Sequence, residues 1–264
     1  LFRSLLVLGL IGYAPKAVEE AVSSDFGRYY TSGCRAEEAG DIYDTRGTLR
    51  CGYLPVMAQL MALLTGPSEW AAATLYEETH VSQRWLAPGG APRPEVATVE
   101  GLTIGASVWY VLLCLSYLGT LVLAVHLGRP TNSREVLWMT VAALLISGRF
   151  LVMNLRLGQI NMIVMFWAVL GCWLVARKRA VWGGISLAFA TALKIIPGGL
   201  FFWIAWRRNW PAVLAMAAAG LLFLWVAPML TWGVRGGAGK TWEWIEARHE
   251  LVTELPDSQS PGQS

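Results

Sequence analysis

In this chain of 264 residues, 55% are hydrophobic and only 15% are charged, too apolar for an ordinary soluble domain, where about a quarter of residues are charged. The formal net charge of +3 points away from a nucleic-acid partner; where the charges sit matters more than their sum. The mean hydropathy of +0.46 is concentrated in long apolar runs, which indicates an all-α, multi-spanning membrane protein.

The first apolar stretch, Leu1 to Tyr13, is too short to cross a bilayer and lacks a signal-peptide cleavage pattern. It reads as the end of a truncated first spanning helix, and the chain as the N-terminal part of a longer protein. Residues 14–104 follow as a polar-to-mixed section with twelve acidic and seven basic residues. Within it, Tyr53 to Thr65 is apolar, but a helix of that length rises only ~20 Å against a hydrocarbon core of ~30 Å. It is expected along the membrane surface or packed as a buried helix. The Pro- and Gly-rich stretch at 87–94 reads as a flexible link.

Spanning helices are predicted at Gly105–Leu127, Val136–Met153, Gln159–Ala176 and Ala212–Trp232, so that residues 105–232 form a transmembrane bundle. Between the last two lies Trp182–Trp206, interrupted by Lys194 and Pro197. A charge at mid-bilayer costs at least ~2.5–3.5 kcal/mol. Short cytoplasmic loops collect Lys and Arg. The loops with Arg129/Arg134, Arg177/Lys178/Arg179 and Arg207/Arg208 carry seven basic residues and one acid, Glu135. A single crossing by 182–206 would put Arg207 and Arg208 outside. Two short helices turning at Lys194–Pro197 keep them inside and bring Lys194 to the outer face. The hairpin is therefore predicted, with residues 14–104 and 233–264 as two extracytoplasmic sections, the second truncated.

Cysteine spacing shows no metal-finger pattern. Cys114 and Cys172 sit in apolar runs as core residues, whereas Cys34 and Cys51 share a polar section where a disulfide stays open. The histidines His80, His126 and His249 are scattered. Gly236-Gly237-Ala238-Gly239-Lys240-Thr241 ends like a phosphate-binding loop, but Val234 stands where its first glycine belongs and no strand precedes it.

Candidate chemistry begins at Ser23-Ser24-Asp25-Phe26-Gly27-Arg28-Tyr29-Tyr30, just beyond the first apolar stretch. Asp25 is a candidate catalytic carboxylate, although Ser23-Ser24-Asp25 also makes a fair helix cap. Asp41 and Asp44 form a second acidic spot. Arg156, Gln159 and Asn161 sit where a spanning helix reaches the outer face, as interfacial anchors or as a polar cluster entering a cavity. Lys194 either snorkels to the interface or holds an anionic ligand.

These residues fall in a pattern: Asp25-Phe-x-x-Tyr-Tyr30, Gly40-Asp41-Ile42-Tyr43, Tyr53-x-Pro55, Arg156-Leu-Gly-Gln-Ile-Asn161, and Gly184-x-x-Leu-Ala-x-Ala-x-x-Leu-Lys194-Ile-Ile-Pro197. It resembles the GT-C glycosyltransferases of family 87, which include polyprenyl-phosphate-mannose-dependent mannosyltransferases of bacterial cell envelopes. Gln263-Ser264 is similar to the start of that family's Asn-Gln-Ser loop, with Gly262 where Asn is usual. The resemblance implies an inverting hexosyltransferase, multi-pass in the plasma or inner membrane, with its site on the extracytoplasmic side. The donor would be a polyprenyl-phosphate hexose, mannose or glucose, and the acceptor a glycan or glycolipid hydroxyl. Asp25 would be the general base. Arg156 and Lys194 would hold the donor phosphate, with Gln159, Asn161, Tyr30 and Tyr53 as further substrate contacts. No nucleotide cofactor and no obligatory metal are expected, Asp25, Asp41 and Asp44 being the carboxylates able to share an ion. The rival reading is a multi-pass lipid or sugar transporter or flippase, which such broken helices also suit; a structural subunit is the third.

Overall fold

A computed structural model describes residues 2–22, 24–37, 54–63 and 100–254, and every element among them is a helix. In chain order these are α1 (Phe2–Val22), α2 (Asp25–Glu37), α3 (Pro55–Ala62), α4 (Glu100–Leu127), α5 (Ser133–Leu157), α6 (Asn161–Ala176), α7 (Ala180–Leu193), a 3₁₀ turn (Ile196–Gly199), α8 (Leu200–Trp206), α9 (Trp210–Leu221), a π turn (Leu222–Val226) and α10 (Ala227–Glu254). Three stretches are long and apolar enough to cross a membrane: Ile104–Leu127, Ser133–Leu157 and Trp210–Gly237. Helices α6, α7 and the 196–206 segment are apolar but shorter.

The predicted ends move in two places. Helix α1 runs to Val22 rather than stopping near Tyr13, because Ala17, Ala21 and Val22 are buried on one side of its polar second half. Packing, not hydropathy, extends it. The 233–264 section, expected as a loop, is helical to Glu254 after a break at Gly233 (φ 71°). Beyond the break the chain folds back, so that Gly237 sits against Pro228 and Met229 and the Thr241 hydroxyl donates to the Leu224 carbonyl. Gly237 of the loop-like motif thus serves a close backbone approach. Helix α3 takes the buried alternative: Val56, Met57, Ala58 and Met61 are all inside.

Contacts fix the direction of each helix. Trp109 Nε1 donates to the Gly158 carbonyl (2.8 Å) and Gly119 lies against Phe166, so α4 and α6 run the same way. Tyr117 bonds Ser147 (2.7 Å), setting α5 antiparallel to α4. Gly171 touches Leu187 and Gly183 touches Val175, which makes α6 and α7 a hairpin. Gly184 packs on Ala212 and Met216 near the start of α9, and Phe189 stacks on Phe223 further along (5.4 Å), so α7 and α9 are parallel. Ile204 joins Leu187 and Ala188 in one buried cluster, which turns α8 back along α7. The segment around Lys194–Pro197 is therefore a hairpin turn.

All three basic loops consequently lie at one end of the bundle, and Asp25, Gln159, Asn161 and Lys194 at the other. At the basic end Arg129, Lys178 and Arg208 each take a left-handed conformation (φ 50°, 61° and 53°) just past a helix C-terminus. That conformation costs a non-glycine residue roughly 1–2 kcal/mol; a cation at the negative end of the helix dipole returns up to about 1 kcal/mol. Single cysteines at Ala180 and Asn209, on a background without the four native ones, are expected to share one accessibility to an impermeant thiol reagent in intact cells. Labelling of one with protection of the other would overturn the hairpin.

Candidate active site

The site is assembled at the corner between α1 and α2. The Ser24 N–H donates to the Ala21 carbonyl (3.0 Å), and Asp25 opens α2, where the positive end of the helix dipole favours a carboxylate. The next residue, Phe26, is fully buried between Tyr30 (ring centroids 5.8 Å apart) and Trp109 (6.1 Å). Burying Phe26 fixes the corner and leaves Asp25 at its edge, its side chain 25% exposed.

The opposing wall is the end of α5. Gly158 takes a left-handed conformation (φ 61°), Gln159 N–H donates to the Asn154 carbonyl (2.9 Å) and Gly158 N–H to that of Leu155 (3.3 Å). This is a Schellman turn. It reverses the chain within three residues and starts α6 at Asn161. Gly158 also lies directly against Phe26 and Ala21, so the turn and the α1–α2 corner are in van der Waals contact.

Across that contact the polar side chains join. Gln159 Nε2 donates to Asp25 Oδ2 (2.9 Å), and Asn161 Nδ2 donates to Gln159 Oε1 (2.9 Å) and to Asn154 Oδ1 (2.9 Å). Lys194, in extended backbone at the end of α7, donates from Nζ to Asn161 Oδ1 (2.7 Å). Arg28 Nη1 lies 3.7 Å from Asp25 Oδ1, too long for a hydrogen bond. Arg156 pairs through Nε with Glu20 of α1, and its side chain is 55% exposed.

The structure thus brings Asp25, Gln159, Asn161 and Lys194 into one connected group and places Arg156 on the neighbouring α1–α5 surface. Tyr30 is in the core against Phe26 and Gly105, away from the exposed edge that carries Asp25. Asp41, Asp44 and Tyr53 lie outside the described residues, as do Cys51 and the 87–94 link. Among the described residues no three metal-ligating side chains cluster. Glu20, Arg28 and Asn154 were not singled out from the sequence. Asn154 had a local signal, because a glycine four residues on marks a helix end whose last turn faces the following residues.

The fold is that of an all-α, polytopic membrane protein whose helices hold a carboxylate, two amides and an ammonium together at one end. The model of glycosyltransferase family 87 matches residues 96–263, more than half of the chain, and the chain belongs to that family. It is accordingly a membrane glycosyltransferase. No curated protein and no solved structure matches it. The family match takes in Arg156, Gln159, Asn161 and Lys194 but begins after Asp25. What ties Asp25 to the matched part is its hydrogen bond to Gln159.

Proposed function

We propose that the protein transfers a hexose from a polyprenyl-phosphate-linked donor to a glycan or glycolipid hydroxyl at the extracytoplasmic face of the cell membrane, with inversion and with Asp25 as general base. The observation that carries this reading is the Asp25–Gln159 hydrogen bond at the bundle end opposite all three basic loops. Short cytoplasmic loops collect Lys and Arg, which supports an extracytoplasmic position for this carboxylate, the side on which a lipid-linked sugar would be met. The leaving group, a lipid phosphate, is stable as an anion, so no strong acid is needed. No nucleotide or metal enters the scheme. Incorporation of labelled hexose from defined polyprenyl-phosphate donors, in membranes containing the full-length protein, tests the reading. Absence of transfer from polyprenyl-phosphate mannose and glucose alike would overturn it.

Two cations are available for the departing phosphate. Glu20 occupies only the Nε of Arg156, leaving both terminal nitrogens of the guanidinium, and Asn161 takes one of the three Lys194 protons. Cations neutralise developing negative charge without proton transfer. A charge-assisted hydrogen bond contributes ~1.5–3 kcal/mol, so Arg156→Ala is expected to raise the donor KM about tenfold to a hundredfold. Arg156→Lys should recover only part, because an ammonium lacks the planar fork that matches phosphate oxygens. Unchanged donor KM and turnover in Arg156→Ala would remove it from the site.

A further inference from the structure

The amides of Gln159 and Asn161 each present an oxygen and a nitrogen of similar shape, so their orientation is read from what they face. Three groups around them have one role each. The Lys194 ammonium only donates, so Asn161 must turn Oδ1 toward it (2.7 Å). The Phe150 carbonyl only accepts; it takes the Asn154 amide N–H (2.7 Å), which turns Asn154 Oδ1 toward Asn161. The Asp25 carboxylate accepts, and it faces Gln159 Nε2 (2.9 Å). All three constraints give the same answer. Asn161 spends both of its N–H groups, one on Asn154 and one on Gln159 Oε1, and Gln159 is left with its N–H toward Asp25.

The chain therefore has a direction, from Lys194 through Asn161 and Gln159 to Asp25. We propose that Asn161, seated on Asn154 and polarised by Lys194, is a positioning residue: it holds the Gln159 amide in the one orientation that donates to Asp25. Oδ2 of Asp25 is then taken, and Oδ1, on the Arg28 side, is the oxygen that receives the acceptor's proton. The acceptor hydroxyl approaches past Arg28, whose side chain is 45% exposed. Without Asn161 the Gln159 amide is free to turn over, setting its oxygen against the carboxylate. This rests on Asp25 being the base.

The decisive variant is Asn161→Asp. It keeps the shape and the Lys194 contact, loses the two donors and adds a negative charge. A role confined to filling space or holding Lys194 predicts near-normal behaviour. The positioning role predicts a kcat at least about tenfold lower with donor KM unchanged, as orienting contacts act on the reacting geometry. Asn161→Leu, which adds no charge, should do the same.

A second readout needs no sugar transfer. Dicyclohexylcarbodiimide modifies a carboxyl that carries its proton, and a carboxylate that has lost a donated hydrogen bond holds a proton more readily. The other charges near this corner, Arg28 on α2 and the Glu20–Arg156 pair on α1 and α5, are untouched by these variants. In the full-length protein at fixed pH, mass spectrometry should find Asp25 labelled at least about fivefold faster in Asn161→Leu and in Lys194→Met. The double variant should be no faster than the quicker single, since the two act through one chain. Wild-type labelling rates in both singles, or a double effect equal to their product, would overturn the proposal. If labelling follows expectation and no donor gives transfer, the relay stands and the assignment of the donor falls alone.

Discussion

Replacing Asp25 by asparagine is expected to lower sugar transfer at least ~10²-fold, the lower range of what a general base contributes. Direct displacement at the sugar carbon needs one group to take the acceptor's hydroxyl proton. It differs from glycoside hydrolysis, where the leaving alkoxide must be protonated and two carboxylates are usual. A carboxylate is a weak base toward a free alcohol, but it suffices once the forming bond makes that proton acidic, late in the transition state. Asparagine keeps the shape, and its oxygen still accepts from Gln159, so the corner should assemble as before. Normal membrane insertion and near-normal donor binding are expected beside the lost turnover. Asp25→Glu should restore little, because the extra methylene moves the oxygens by about 1 Å, a misplacement that can cost ~10²-fold. Asp41→Asn and Asp44→Asn should be milder. Transfer at close to the wild-type rate in Asp25→Asn, with either of the others dead, would move the base to that second acidic spot.

Much of the bundle was legible because hydropathy and charge act over long stretches. Helices α4 and α5 follow from apolar runs long enough to span, and the Lys194–Pro197 turn followed from counting basic residues at Arg177–Arg179 and Arg207–Arg208. The second half of α1 was not legible: Lys16, Glu19 and Glu20 read as loop until Ala17, Ala21 and Val22 are seen packed. Nor was α10 beyond Gly233, since Gly236, Gly237 and Gly239 read as a loop until Gly237 is seen packed on Pro228 and Met229 across the break.

The site divides in the same way. Gln159, Asn161 and Lys194 stand in motifs, but the bond that joins them to Asp25, from Gln159, spans 134 residues of sequence and depends on how two corners meet. Tyr30, a substrate contact by the resemblance, is fully buried, with its ring against Phe26 and Gly105. Glu20 and Arg28 carry no local pattern that separates them from solvated charges, and only the tertiary contact marks them.

The meeting of those two corners makes Gly158 the second position where a small change should have a large effect. A Cβ added there would lie 2.6 Å from Phe26 Cβ and 3.1 Å from Ala21 Cβ. The Phe26 atom belongs to no flexible tip; it moves only with the backbone of α2. The left-handed conformation adds roughly 1–2 kcal/mol for any residue with a Cβ, and overpacking a close contact typically costs ~1–3 kcal/mol. Relief requires the start of α2 to move away from the α5 turn, and Asp25, one residue before Phe26, moves with it. Gly158→Ala is therefore expected to lower transfer about a hundredfold and the thermal midpoint of the detergent-solubilised protein by several degrees. Gly158→Asn separates the two causes. Asparagine tolerates the left-handed region but carries the same Cβ, so it should be nearly as damaging if overlap with Phe26 dominates. Gly148→Ala, on the same helix with open space around the added methyl, should be neutral or slightly stabilising. Wild-type transfer by Gly158→Ala would show that the glycine seat does not set the position of Asp25.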